Sequence, residues 1–405
     1  MNKNILFLTS SYPFGLGEGF IEPELSYLSQ NNDLFVMPTY SRGHKKSSYI
    51  QNKHIIYINE PLWSFNSLLS AVRFSIKQPK SIYLLFKLCK DKRIKKTIRN
   101  VVLIPKALKI AKIIQQKEIH FIYAHWLSAP TQLALLLNQL TSIPFAVTGH
   151  RWDLIDANNF QQKFEKASFV RLISQYSKKL LPPNIYEQFS HKIHTIYMGI
   201  DIPKHNKIKK IQQQKIKGVC IASFIAVKGH SYLLYAIKTL KDKGIIVEMD
   251  LFGSGELKNQ LVEQCQQLQI ENQIHFMGSV HHQQLLNQLN TDDYCFCCLP
   301  SLDLGNGLHE GIPVSLMEAM AYKIPCISTD TGSINELIEN EKTGLLVQDK
   351  NSHLLAQAIQ NIIENQELRE KIVDNAYNLI QQSFNAENNN QTLCSLIMKN
   401  CETKK

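Results

Sequence analysis

The sequence predicts an α/β protein made of two similar Rossmann-type domains that face each other across a cleft. Short apolar runs alternate with helical patterns along the chain, which is typical of parallel sheets covered by helices. The alternation is broken once, over residues 204–217, a polar stretch rich in lysine and glutamine. The length of 405 residues also suits two domains. We therefore predict a first domain at 1–203, a linker at 204–217 and a second domain at 218–375.

The strands of each domain are predicted from short apolar runs that end in turn residues. In the first domain these are 4–9, 33–38, 121–124, 144–148 and 169–173, with helices at 22–30 and 131–140. In the second domain they are 219–223, 245–252, 274–277, 294–299 and 325–328, with a helix at 231–241. Ligands of such sheets bind at the carboxyl ends of the strands, so the residues that follow each strand are the first candidates for a site.

Composition excludes several classes of protein. Apolar residues make up 44% and charged residues 20% of the chain, which excludes a disordered or collagen-like protein. No apolar run is long enough to span a bilayer, and the first apolar block is shorter than a secretory signal, so a cytoplasmic location is expected. The nine cysteines are scattered and odd in number, which favours reduced thiols over a disulfide framework. Cys295 and Cys298 form a lone C-x-x-C inside an apolar run, and we interpret them as buried thiols rather than a metal site.

Positive charge is concentrated in one segment. The formal net charge is +11, and residues 73–117 hold 14 lysines and arginines against a single acid, Asp91. Aromatic and aliphatic residues alternate with these charges, and a basic amphipathic stretch of this kind suits an anionic membrane surface. A solvated basic face is the alternative. Nucleic-acid binding is disfavoured, because no recognisable nucleic-acid module accompanies the segment.

The most informative segment runs from His309 to Ala321. Pro313 suits the first turn of a helix, which would leave free N–H groups at residues 311–315 for a phosphate or diphosphate. Glu310 precedes this helix and Glu318 lies eight residues later, roughly 12 Å away if all are helical. A glycosidase pair needs about 5–9.5 Å, so the spacing favours two carboxylates at opposite ends of one long ligand. A capping box from residues 315 to 318 is the alternative interpretation.

This block resembles the signature of retaining glycosyltransferase family 4, whose members have the GT-B fold. Residues 324–337 and 344–347, together with the turns at 252–255, 276–278 and 299–301, are similar to the rest of the family's C-terminal pattern. The resemblance covers most of residues 217–350. In the first domain Tyr12, Pro13, Glu18, Phe20, Ile21 and Glu24 resemble the start of exopolysaccharide-type members, including colanic-acid-type transferases. The fold of the family implies that the C-terminal segment 376–405 packs back on the first domain.

The resemblance implies a role for each residue of the donor site. Glu318 would bind the ribose hydroxyls and Glu310 the transferred sugar, while Lys228 would bind the diphosphate. Ser223 occupies the position where the family usually has an arginine, so one cation is missing, and either Ser223 bonds a phosphate or another basic residue substitutes. The backbone and turns that complete the predicted donor site are Gly253, Gly311, Ile312, Pro313, Val314 and Ser315.

Four residues of the first domain are predicted to lie near the reacting groups. His150 closes a strand, and the resemblance implies that it contacts the donor sugar as a catalytic residue. His125 also ends a strand and resembles a position near the acceptor. Gly15 and Gly17 form a turn after the first strand, below the junction of donor and acceptor in the family. For each histidine a purely structural role is the alternative.

The predicted function is transfer of a sugar from a UDP- or GDP-sugar to a lipid-linked glycan, with retained configuration. The product would be a surface polysaccharide such as capsule, O-antigen or exopolysaccharide, and no metal or other cofactor is expected. The protein would lie peripherally on the inner face of the cytoplasmic membrane through residues 73–117. Two alternatives remain: a sugar-nucleotide 2-epimerase of the same fold, and a non-catalytic nucleotide-sugar-binding protein, if Ser223 marks a decayed site.

Overall fold

The chain forms two compact α/β units, each built around one parallel sheet, which confirms the predicted fold class. The computed structural model describes residues 2–15, 18–41, 50, 52–64, 74, 76–156, 159–203, 216–291 and 293–401. The first unit consists of Met1–Met198 and Ala386–Lys405, and the second of Gly199–Asn385. The boundary therefore falls five residues before the predicted one, and the C-terminal return begins at Ala386 rather than at residue 376.

The first sheet has seven strands in the order β3-β2-β1-β4-β5-β6-β7. The strands are β1 (Lys3–Thr9), β2 (Asn32–Pro38), β3 (Ile55–Tyr57), β4 (Phe121–His125), β5 (Phe145–Gly149), β6 (Val170–Leu172) and β7 (Ile193–Thr195). The strand order reverses between β1 and β4, which is where ligands of such sheets bind. The predicted strands agree with these bounds to within three residues. β3 and β7 were not predicted, because three residues are too few for a recognisable pattern.

The second sheet has six strands in the order β10-β9-β8-β11-β12-β13. The strands are β8 (Ile216–Ile221), β9 (Val247–Phe252), β10 (Ile274–Gly278), β11 (Phe296–Leu299), β12 (Cys326–Thr329) and β13 (Leu345–Val347). Residues 216 and 217 belong to β8, so the predicted end of the linker is wrong. Lys217 pairs with Glu248 in the β8–β9 register, and its ammonium lies 2.7 Å from the Asp250 carboxylate of β9. The rest of the predicted linker, 204–215, lies outside the described residues.

Helices cover the sheets and connect the strands. In the first unit they are α1 (Glu22–Leu28), α2 (Pro79–Cys89), α3 (Ile94–Val101), α4 (Ile104–Gln116), α5 (Ala129–Thr141), α6 (Arg151–Asp156), α7 (Phe160–Lys166), α8 (Tyr176–Lys179) and α9 (Pro183–Phe189). In the second they are α10 (His230–Asp242), α11 (Lys258–Gln267), α12 (His282–Thr291), α13 (Val314–Ala321), α14 (Ser352–Glu364) and α15 (Gln366–Ser383). The last helix, α16 (Ala386–Cys401), returns to the first unit. There Leu393 and Ile397 are fully buried beside Leu25 of α1.

Only part of the basic segment, residues 73–117, is exposed on the surface of the protein. Residues 73 and 75 lie outside the described part of the chain. Lys106 is fully buried, and its ammonium donates to the carbonyl oxygens of Pro38, Thr39 and Glu60 at 2.7–2.9 Å. Lys96 is also buried, and it pairs with Asp156 at 2.7 Å. These lysines fix loops of the first unit, so the exposed part of the basic segment centres on α2 and α3.

All nine cysteines are free thiols, and seven of them are buried. Within the described residues, no group of three or more histidine, cysteine, aspartate or glutamate side chains could hold a metal ion. None of the described helices is both long and apolar enough to cross a membrane.

Candidate functional site

Lys228 and Glu310, the two residues predicted to act on the diphosphate and the sugar, form an ion pair. Lys228 ends a 3₁₀ turn, Ala226–Lys228, after β8, and its ammonium contacts Oε2 of Glu310 although 82 residues separate them. Gly229 follows with φ of +67°, and a Cβ there would lie 1.9 Å from the carbonyl oxygen of Pro300. The loop after β8 therefore packs on the turn after β11, at the point where the strand order of the second sheet reverses.

The loop that carries Glu310 packs against the turn that follows β12. Nδ1 of His309 lies 2.8 Å from the carbonyl oxygen of Glu310. Gly332, with φ of +57°, passes so close that a Cβ would lie 1.9 Å from the same oxygen. Only glycine fits both this conformation and this space. The Glu310 carboxylate thus projects from a rigid backbone, with its side chain 17% exposed.

Helix α13 starts one residue later than predicted, because Pro313 precedes it as the N-cap. The first hydrogen bond within the helix runs from the Met317 N–H to the Pro313 carbonyl, at 3.2 Å. No side chain caps this end, so the N–H groups of Val314 and Ser315 remain available to an anion. No Cβ contact would hinder Gly311, which leaves open space next to the helix N-terminus.

The capping-box interpretation of Glu318 is wrong. Its Oε1 lies 2.6 Å from Nε2 of His282, the first residue of α12. Glu318 is 6% exposed, and burial raises the pKa of its carboxyl, while the hydrogen bond and charge of His282 act in the opposite direction. Its Oε2 has no hydrogen-bond partner in the described part of the chain. The sequence prediction missed His282, although it follows a glycine turn at the end of β10 and so occupies a typical ligand position.

Ser223 and Gly253 lie in adjacent turns at the ends of β8 and β9. Gly253 has φ of +149°, and a Cβ there would lie 2.0 Å from the carbonyl oxygen of Ala222. The Phe224 N–H donates to the Ser254 carbonyl at 2.9 Å, which ties the two turns together. Ser223 is exposed, and its hydroxyl makes no hydrogen bond to any described residue.

The two histidines predicted to face donor and acceptor are in direct contact in the first unit. Nε2 of His150, just after β5, lies 2.9 Å from Nε2 of His125, the last residue of β4. Nδ1 of His125 lies 3.2 Å from Oε1 of Glu24, and Oε2 of Glu24 accepts a hydrogen bond from Arg171 at 2.6 Å. All four side chains are buried. The sequence prediction had noted Glu24 only as part of a family resemblance, and it had missed Arg171.

The contacts and burial of these four side chains shift the pKa values of Glu24 and His150. Burial alone would raise the pKa of the Glu24 carboxyl, but Arg171 and His125 outweigh it and hold that pKa at about 2. Burial, and then the neighbouring His125 and Arg171, lower the pKa of His150 well below its usual value. Glu24 is therefore ionised and His150 neutral at physiological pH.

A strained residue adjoins the two histidines. Trp126 has φ of +127°, a conformation that costs free energy in a non-glycine residue and is concentrated at functional sites. Its indole N–H donates to Glu18, whose carboxylate also accepts from the N–H groups of Ser10 and Ser11. Its ring centroid lies 4.3 Å from that of His150.

Of the two predicted loop glycines, Gly15 packs against Ser11, where a Cβ would lie 2.5 Å from the Ser11 Cβ. Gly17 lies outside the described residues.

Part of the chain is similar in sequence to known glycosyltransferases. Residues 201–379 match the family described as Glycosyl transferases group 1. The chain is 30% identical over 209 residues to the glycosyltransferase WcaL of Escherichia coli strain K12, named for colanic acid biosynthesis, covering 51% of each chain. It is 32% identical over 168 residues to the amylovoran biosynthesis glycosyltransferase AmsK of Erwinia amylovora, covering 41% of each. The alignments thus span about half the length of these relatives or less.

Solved structures are similar over nearly the whole chain. HepE of Anabaena in complex with UDP has a TM-score of 0.72 at 18% identity, covering 98% of this chain and 100% of that one. A glycosyltransferase of Rickettsia africae has a TM-score of 0.71 at 17% identity, covering 100% of both chains. At these identities the likeness shows the fold, which is the predicted GT-B arrangement of two Rossmann-like domains.

Proposed function

We propose, from the premise that this chain carries a Glycosyl transferases group 1 domain over residues 201–379, that it is a glycosyltransferase of polysaccharide biosynthesis. It takes a sugar from a nucleotide diphosphate sugar, with UDP or GDP as the nucleotide, and transfers it with retained configuration. The acceptor is a hydroxyl of a lipid-linked glycan that grows into capsule, O-antigen or exopolysaccharide. The observation that carries the proposal is the Lys228–Glu310 ion pair in the same unit as the uncapped N-terminus of α13.

The donor site needs positive charge for the diphosphate and acceptors for the hydroxyls. Lys228 and the N-terminus of α13 supply the positive charge. Glu318, four residues into the same helix, offers Oε2 to the ribose. The Glu310 carboxylate neutralises Lys228 until the donor binds. The diphosphate then competes for the ammonium, which frees Glu310 to accept from a sugar hydroxyl.

Catalysis follows from stabilising the departing diphosphate. Negative charge grows on it as the sugar becomes oxocarbenium-like, and pre-oriented N–H dipoles and an ammonium stabilise that charge at little reorganisation cost. We assign this neutralisation to Lys228 and α13 rather than to a metal ion. We also assign the backbone of residues 311–315 and the turn at Gly253 to the donor, and Ser223 to a phosphate hydrogen bond. We assign His150 to a sugar hydroxyl and the loop at Gly15 to the acceptor side. His125 is fully buried, and its ring nitrogens face Glu24 and His150, so it does not contact the acceptor as the sequence analysis expected.

Nucleotide binding is the first test of the proposal. Thermal unfolding with UDP, GDP, ADP, CMP and TDP should show a shift with one of them, because a ligand at 100 times its Kd adds about 2.7 kcal/mol to the folded state. Glu318→Gln should weaken that nucleotide at least tenfold, since it replaces a carboxyl oxygen assigned to the ribose hydroxyls with an amide group. Glu339→Gln is the matched control, because Glu339 forms an exposed ion pair with Lys342 in the same unit. The absence of a shift with every nucleotide would contradict the proposed donor site.

Acceptor-dependent release of the nucleotide separates the transferase from its alternatives. A transferase releases nucleotide in proportion to added acceptor. A 2-epimerase interconverts its sugar nucleotides without any acceptor, and a binding protein releases nothing. No structural feature favours either alternative over the transferase.

The proposed route to a lipid-linked acceptor is a membrane-facing surface on α2 and α3. Tyr83 and Phe86 are 68% and 49% exposed, and Ile94 and Ile98 are 71% and 56% exposed. The exposed basic residues of the same two helices and their connection are Lys80, Lys87, Lys90, Lys92, Arg93, Lys95 and Arg99. Apolar side chains that enter the headgroup region beside several cations suit an anionic bilayer.

Vesicle binding tests this surface. The wild-type protein should bind vesicles that contain anionic lipid and should lose affinity steeply as salt rises, because exposed charges are screened. The double substitution Tyr83→Ser with Phe86→Ser should lower that affinity at least tenfold. Tyr235→Ser with Ile246→Ser is the control, since these residues of the second unit are similarly exposed, at 48% and 56%. Binding that does not respond to salt, or no binding, would contradict the proposal.

A further inference from the structure

We propose that Glu24, held by Arg171, fixes His125 so that His150 presents an unprotonated Nδ1 as a hydrogen-bond acceptor for one sugar hydroxyl. Glu24, Arg171 and His125 are positioning residues in this arrangement, since they act through His150. The sugar contact rests on the proposed function. The proton positions within the four side chains do not depend on it.

The first step is the charge of Glu24. Arg171 and Glu24 are 1% and 2% exposed at their side chains, and their 2.6 Å contact pairs two charges that burial would otherwise disfavour. The Arg171 guanidinium is held in place by further hydrogen bonds to the carbonyls of Ile196 and Tyr197, at 2.9 and 3.1 Å. Glu24 therefore faces His125 as a carboxylate, which can only accept.

The second step is the position of the protons on the His125 and His150 rings, which follows from the charge of Glu24. Nδ1 of His125 must carry a proton, because it faces a carboxylate oxygen. Arg171 already neutralises Glu24, so a second proton on His125 would add a buried charge without a partner. With its single proton on Nδ1, His125 has only a lone pair at Nε2. Since Nε2 of His150 lies 2.9 Å from it, that nitrogen must donate, and the neutral His150 ring keeps its proton there. The remaining nitrogen, Nδ1 of His150, is left with a bare lone pair.

The third step is that Nδ1 of His150 is unused. It makes no hydrogen bond to any described residue. It is also not one of the fully buried side-chain atoms that lack a hydrogen-bond partner. The backbone of His150 is anchored by Asp153, which also accepts from the Leu127 N–H at 3.0 Å and lies near the Lys163 ammonium. An oriented nitrogen that has no hydrogen-bond partner among the described residues is suited to bind a ligand hydroxyl.

The rings cannot reorient easily to change this assignment. His125 stacks on Phe7 with centroids 5.9 Å apart, and Trp126 lies 4.3 Å from His150. Phe20, 37% exposed, lies within 5.8 Å of both histidine rings. The charges near the pair are two sets of opposite sign, Arg171 with Glu24 and Lys163 with Asp153, so a second proton on His150 would introduce a buried cation without a partner of its own.

The test is a measurement of the tautomers by ¹⁵N NMR on protein labelled at histidine. The expected spectrum of the wild type has His125 protonated at Nδ1 and His150 protonated at Nε2. The chain has 14 histidines, and the two signals are identified by their loss in His125→Phe and His150→Gln. A His150 protonated at Nδ1 in the wild type would overturn the proposal without any further variant.

Glu24→Gln is the decisive substitution, because it keeps the shape of the side chain. The amide oxygen of glutamine stays on Arg171, and its NH₂ group then donates to Nδ1 of His125. Both rings are expected to switch: His125 becomes protonated at Nε2 and His150 at Nδ1. Unchanged tautomers in folded Glu24→Gln would overturn the proposal.

Lys106→Met is the matched control for loss of a buried charge in the same unit. It removes a fully buried ammonium that contacts only carbonyls outside this group of side chains. It should leave both tautomers unchanged. Where transfer is measurable, Glu24→Gln should also lower kcat at least tenfold, since His150 would then donate where it must accept. A wild type that shows the expected tautomers but no transfer would contradict the proposed function alone.

Discussion

Replacing Lys228 by alanine should lower kcat for sugar transfer by at least about 100-fold, or about 2.7 kcal/mol of transition-state stabilisation. The ammonium is the one described side-chain cation that the structure holds against Glu310, and the diphosphate gains most of its charge as the sugar departs. The loss should therefore appear in kcat as well as in nucleotide affinity. Steady-state kinetics with the nucleotide sugar identified by the unfolding screen would measure both.

Glu310→Ala should have a similar effect on kcat for a different reason. It removes the group assigned to the sugar, while Lys228 remains available to the diphosphate, so nucleotide affinity should not fall. Lys238→Ala is the control for both substitutions, because Lys238 forms an ion pair with Asp242 on the exposed face of α10. Near-wild-type rates for both Lys228→Ala and Glu310→Ala would contradict the assigned site.

Arg171→Met should destabilise the first unit by about 3–5 kcal/mol at pH 7, the usual cost of leaving a buried charge without its partner. The charge left behind is Glu24, whose side chain is 2% exposed. Removing both charges with Glu24→Leu and Arg171→Met should cost clearly less than Arg171→Met alone. Chemical unfolding that follows the first unit would measure the difference, and Arg93→Met, at a 53% exposed arginine, serves as the surface control.

The same pair predicts an acid dependence of stability. The pKa of Glu24 is held at about 2, below its ordinary value of 4.5. A carboxyl whose pKa is lower in the folded state contributes stability that is complete above about pH 4.5 and is lost as the pH falls toward 2. The gap in stability between wild type and Arg171→Met should therefore narrow over that range. A gap that stays constant from pH 7 to pH 3 would show that Glu24 is not held as a carboxylate by Arg171.

The sequence was sufficient for the features that depend on local pattern. Apolar runs of four or more residues predicted strands to within three residues, and the Glu310–Glu318 block predicted a helix that begins shortly after Glu310. The departure from prediction at Pro313 is a single residue, since the proline precedes the helix as its N-cap instead of lying in its first turn. The missed strands, such as β3 and β7, are three residues long and owe their conformation to their neighbours in the sheet.

The contacts of the site could not be predicted in this way. Lys228 and Glu310 were each proposed, but nothing local shows that they pair across 82 residues. Glu24 and Arg171 are 147 residues apart, and they meet only because the fold brings α1 next to the sheet that contains β6. The sequence does not show that an arginine in a short strand is buried, because the carboxylate that pairs with it is identified only once the fold is known.

The return of α16 to the first unit means that this unit is encoded in two pieces. A fragment that ended at residue 385 would keep the whole second sheet, yet it would expose the face of α1 that Leu393 and Ile397 cover. Each of those side chains contributes about 1.5–3 kcal/mol when fully buried. A single crossover point between the two units would therefore separate the first unit from its last helix. Recombination that swaps the first unit between related chains must exchange the last helix together with the first 198 residues.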